Sequence, residues 1–97
     1  LTYHNMRMFG SNDPNHVAQA MAFDGWLKET LETANTAERD ERLAHWWDNA
    51  DARACHFPTP EHFLPIMVAA GAGGETAGKQ VFQGIVMDKP YSGYRWG

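Results

Sequence analysis

The chain has 97 residues, enough for one small domain, and 43% of them are hydrophobic, as in an ordinary globular protein. Eight Lys and Arg against twelve Asp and Glu leave a net charge of −4. The basic residues are scattered rather than striped, which argues against nucleic-acid binding by phosphate neutralisation. No apolar run approaches the roughly 20 residues of a membrane span, which argues against a membrane protein.

Residues 1–9 (LTYHNMRMF) alternate loosely and favour extended backbone, which predicts a short strand with His4 at its end. Residues 10–14 (GSNDP) form a turn, with Asp13 as N-cap and Pro14 at the first helical position. A helix is expected over residues 15–33, with Val17, Met21, Leu27, Leu31 and Ala34 along its buried stripe and Phe23 and Trp26 on a neighbouring face. After a break at residues 34–37, with Asn35 or Thr36 as cap, a second amphipathic helix is expected to carry Leu43, Trp46, Trp47, Ala50 and Ala54 on one face.

Thr59 and Pro60 are expected to open a third helix, with Glu61 and His62 in its first turn. Residues 63–70 are apolar all round, which predicts burial on most sides, and Pro65 must distort the first turn. The glycine-rich residues 70–78 end that helix. Residues 79–87 read as a strand, and residues 88–97 as a second extended stretch after a turn at Lys89 and Pro90. The expected fold class is α/β, helix-rich, with three helices and two or three short strands in a single unit spanning residues 1–97.

The ionisable chemistry gathers in residues 55–70, CHFPTPEHFLPIMVAA. Near the positive end of a helix, the neutral imidazole of His62 suits a divalent metal, with Glu61 as a ligand or an orienting partner; helix capping is the alternative for both. His56 reads as a second ligand, an acid–base group or a loop histidine satisfied by backbone. His4 is placed at a strand end, where α/β sheets present site residues, although a structural role is open to it as well. His16 and His45 fall in helices and take surface or packing roles. Cys55 and His56, adjacent in sequence, do not face each other readily as a nucleophile pair. With no second cysteine, an internal disulfide is impossible, and no signal-peptide pattern is present. A reducing, cytoplasmic compartment follows as the expectation. The glycines of residues 71–78 lack the strand and the GK[ST] of a phosphate-binding loop.

The combination of LTYHNMR near the start, ARACHFPTPEHFLPIMVAAGA in the middle and YSGYRWG at the end resembles the class III extradiol ring-cleaving dioxygenases, in the DOPA-dioxygenase-like branch of the LigB superfamily. The resemblance covers most of the chain in the right order, and PTPEHFLP is its most specific part. It implies a non-haem Fe(II), with zinc in its place in some relatives, and a catecholic substrate opened by dioxygen beside its two hydroxyls. Carried over by motif position, His62 resembles a metal ligand, Glu61 its ligating or orienting neighbour, and His4 the histidine that serves as acid–base group or lies against the metal. His56 resembles a substrate-side histidine, although here Phe57 separates it from Pro58.

Family members are more than twice this length, and their other metal-binding histidines lie in an N-terminal segment. The resemblance therefore implies a C-terminal portion that is inactive alone, with the N-terminal portion of the same enzyme as its partner. A start at Leu1 rather than Met fits a cleaved or truncated product. The alternative is a non-catalytic module, either a homo-oligomer that covers its apolar surfaces with a second copy or a small metal-binding protein using His4, His56 and His62.

Overall fold

A computed structural model describes all 97 residues, Leu1–Gly97. Helix α1 (Pro14–Glu32) runs through the middle of the molecule. It packs against α2 (Thr36–Ala44), α3 (Ala50–Cys55) and an antiparallel hairpin of β1 (Lys79–Val86) and β2 (Lys89–Arg95). A short 3-10 turn, Trp46–Asp48, joins α2 to α3, and α4 (Leu64–Ala72) precedes the hairpin. The mixed α/β class expected from sequence is present, with four α-helices instead of three and two strands.

Helix α1 starts as expected, because the Asp13 carboxylate accepts from the Asn15 N–H at 2.8 Å and Pro14 needs no partner. Its buried stripe is rotated from the expected one. Ala20, Phe23, Asp24, Leu27, Thr30 and Leu31 are buried, whereas Met21 is half exposed. The helix is covered by helices on one side and by the hairpin on another, so polar Asp24 is enclosed between elements. There its carboxylate accepts from Gln83 Nε2 and Ser92 Oγ, both at 2.7 Å, and this ties α1 to both strands.

The single second helix expected over the tryptophans is broken at Trp46–Asp48. Asn49 adopts extended backbone, and its side chain accepts from the N–H groups of Asp51 and Ala52, which starts α3 afresh. Trp46 consequently packs on Phe63 with ring centroids 5.2 Å apart, while Trp47 turns outward and is 53% exposed. The third helix begins at Leu64 rather than Thr59. Residues 60–63 form a turn closed by Phe63 N–H and Leu64 N–H on the Pro60 carbonyl, and Pro65 falls within the first helical turn, where its ring is tolerated. Glu61 and His62 therefore stand before the helix, not in its first turn. Residues 63–70 are not enclosed either: Phe63 and Ala70 are buried, but Leu64 is 43% and Val68 72% exposed.

The hairpin turns at Met87 and Asp88, two residues earlier than expected, and both take positive φ. The core is built from Phe23, Leu27 and Leu31 of α1, Leu43, Ala52, Cys55, Phe63 and Ala70, with Tyr3 brought in from the N-terminal segment. No helix is long and apolar enough to cross a membrane.

Candidate functional site

Residues 1–5 do not form the expected strand. Their hydrogen bonds run to helix-end carbonyls, to the turn before α4 and, through the Thr2 hydroxyl, to an N–H of β2, and no strand ladder is completed. The His4 N–H donates to the Cys55 carbonyl at 2.8 Å, and Asn5 Nδ2 donates to the Ala54 carbonyl at 2.6 Å. On the other flank, Thr2 Oγ1 accepts from the Ser92 N–H at 3.0 Å. The Leu1 nitrogen donates to the His62 carbonyl at 3.0 Å. These bonds thread the segment between the end of α3, the turn before α4 and β2, and they bring together histidines that are more than fifty residues apart in sequence.

His4 and His62 meet face to face, with ring centroids 3.6 Å apart and planes 19° from parallel. His4 is half-buried and His62 exposed. His56 is fully buried beside them, stacked on Phe63 at 4.9 Å and edge-on to Phe23 at 5.4 Å. Its Nε2 lies 3.2 Å from the Thr2 carbonyl, which fixes Nε2 as the protonated nitrogen, and its Nδ1 has no partner. Loss of hydration holds its pKa down at about 4, partly offset by the bond to Thr2, with the nearby Leu1 amino group, His4 and His62 adding to the depression. His56 is thus a neutral core histidine bonded to backbone. Enclosed as it is, it does not reach a substrate directly.

His4 also lines a cleft of about 380 Å³ with Tyr3, Met6, Phe9 and Tyr91. Tyr91 stands edge-on to both Tyr3 (6.1 Å, 70°) and Phe9 (6.3 Å, 66°). Burial, with smaller contributions from Cys55 and Tyr91, pushes the Tyr3 hydroxyl up to about 12, and burial raises Tyr91 too. Both phenols stay protonated and present a neutral, ring-lined wall beside His4. Nothing in the sequence shows that the N-terminal segment and β2 face one another, so the cleft formed by Tyr3, Phe9 and Tyr91 is visible only in the fold. Cys55, its thiol pushed by desolvation to about 12, is inert.

The metal-binding geometry is incomplete. An imidazole binds a metal through a lone pair in its ring plane, so rings stacked 19° from parallel hold their lone pairs in near-parallel planes instead of converging on one ion at about 2.0–2.1 Å. Glu61 is exposed, and no group of three or more His, Cys, Asp or Glu side chains stands close enough to hold a metal ion. His4, His62 and Glu61 as arranged do not by themselves form an iron site. Compared with protein-family models, curated protein sequences and solved structures, the chain matches none.

Proposed function

We propose that the chain is the C-terminal portion of a non-haem iron extradiol dioxygenase, which opens catecholic rings with dioxygen and is inactive until joined to the N-terminal portion of the same enzyme. The observation that carries this reading is the His4–His62 pair, ring centroids 3.6 Å apart, of which His4 lines the cleft walled by Tyr3, Phe9 and Tyr91. The PTPEHFLP and YHN segments that resemble the dioxygenases contribute those two histidines. A cleft of about 380 Å³ is of a size for small-molecule sites, and its edge-on aromatic walls suit a flat ring.

In this reading His62 is a metal ligand with Glu61 beside it, and the donors missing here belong to the N-terminal portion. What this chain's own residues do follows from their surroundings. The aromatic wall excludes water and orients the catechol ring. His4, half-buried at the rim, takes the proton of a catechol hydroxyl, work for which an imidazole is suited near neutral pH. Stacking on His62 and the backbone bond to Cys55 hold His4 in place. His56 supports the segment from behind through the Thr2 carbonyl and acts as a positioning residue.

The test is to express the chain together with the polypeptide encoded immediately upstream of it, supply Fe(II), and follow the absorbance of the ring-opened semialdehyde formed from a catechol in air. Ring opening is expected from the pair, and its loss on His62→Ala. Unchanged turnover in a His4→Ala, His62→Ala double variant contradicts the assignment.

A further inference from the structure

A second and larger groove, of about 570 Å³, shares no lining residue with the histidine cleft. Two guanidinium groups, those of Arg7 and Arg53, border it. Each rests on an aromatic wall of the same groove: Arg7 over the Phe57 ring at 5.2 Å, and Arg53 over the Trp47 ring at 5.7 Å. Neither takes part in an ion pair, whereas Arg39 and Arg42 are both engaged by carboxylates. In a chain of net charge −4, two guanidiniums outside any ion pair therefore border one concavity.

Several of the groove's polar groups are fixed in place. Arg53 Nη1 donates to the Trp47 carbonyl. The Asn5 side chain is held by Ala54 and by the Arg7 N–H. The floor adds apolar surface from Ala50, Ala54 and Met8, and Trp47 and Phe57 remain 53% and 43% exposed. Planar forks that lack carboxylate partners recognise carboxylate oxygens in pairs, and broad exposed rings take a flat apolar body. The volume falls in the range of small-ligand pockets.

We propose that this groove binds an aromatic carboxylate, with its anionic group between Arg7 and Arg53 and its ring against Trp47 and Phe57. A carboxylate is favoured over a bare phosphate because the walls are rings and methyl groups, which a phosphate leaves uncovered. The site is independent of the dioxygenase reading, since it uses none of the three histidines of the first cleft.

The experiment is calorimetric titration of the purified chain with 2-naphthoate, with neutral 2-naphthylmethanol and with inorganic phosphate. Saturable binding of about one naphthoate per chain is expected, with the alcohol and phosphate each about tenfold weaker or more. Arg7→Gln, whose side chain makes no hydrogen bond in the fold, is expected to weaken naphthoate about fivefold or more with an unchanged melting temperature. Arg53→Gln is expected to act in the same direction, and His4→Ala to leave naphthoate affinity as it is. Absence of saturable binding overturns the proposal, as does an alcohol or a phosphate that binds as well as naphthoate, or an Arg7→Gln variant with full affinity.

Discussion

Enclosing His56 between Phe23 and Phe63 carries a cost that depends on pH. Its pKa is about 4 in the fold against 6.5 in an unfolded chain, so between those values the unfolded chain holds more protons. The stability it contributes is complete above pH 6.5 and is lost as pH falls toward 4. At 1.36 kcal/mol per unit the loss amounts to about 3 kcal/mol. Urea denaturation at pH 7 and pH 4.5 is expected to show that decline, and His56→Phe is expected to flatten it within this window. Glu32 adds a second acid-sensitive contact. The N–H of Gln80 and the Lys28 ammonium lower its pKa, so its contribution is present above the ordinary glutamate range and disappears as pH drops below it. Asp24 ties both strands of the hairpin to α1. Asp24→Ala leaves Gln83 Nε2 and Ser92 Oγ without their acceptor, and a loss of about 1–3 kcal/mol is expected by chemical denaturation.

At the scale of elements, Trp96 closes the molecule against two glycines. A Cβ at Gly78 would stand 2.8 Å from the Leu31 carbonyl and 3.0 Å from the Trp96 ring, and the Gly78 N–H already donates to that carbonyl. Backbone on one side and an indole on the other leave no room, so Gly78→Ala is expected to cost about 1–3 kcal/mol, read from the denaturation midpoint. Gly25, with nothing within 4 Å of its added Cβ, serves as a comparison, and alanine there is expected to be neutral or slightly stabilising.

Elements with strong local signals were legible in the sequence. Asp13-Pro14 set the start of α1, and the strand pattern of residues 79–87 anticipated β1. The misses have local causes of their own. The spacing of Leu43, Trp46, Trp47 and Ala50 matched a helix, but the Asn49 side chain gains more from capping α3 than from a place inside a helix. Pro65 marked a helix start and not a distortion within one, which moved Glu61 and His62 out of the first turn. Of the site, the identities of His4, His56 and His62 were readable, and the three come together through long-range bonds that no spacing encodes. The aromatic cleft and the paired arginines were not readable, because each is assembled from segments some forty to ninety residues apart.

For the molecule as a whole, the apolar surface left open is concentrated on the hairpin and α4. Val81, Phe82, Ile85 and Val86 of β1 are each between 48% and 61% exposed, and the sheet has only two strands, so both of its outer edges are unpaired. Proteins seldom leave such strands uncovered. In the proposed reading the N-terminal portion covers them, and in its absence a second copy does. Sedimentation of the chain alone is expected to show a homo-oligomer that Ile85→Lys weakens, and co-expression with the upstream polypeptide is expected to replace it with a one-to-one complex.

The claim on which the functional account turns is that His62 is one ligand of a metal centre completed by another stretch of polypeptide, with His4 beside it as the acid–base group. Iron content per chain, measured after anaerobic loading with Fe(II) and gel filtration, tests it directly. The chain alone is expected to retain far less than one iron, and its complex with the upstream polypeptide about one, lost again on His62→Ala. Tight, stoichiometric iron in the isolated monomeric chain, or a complex that keeps its iron without His62, contradicts it.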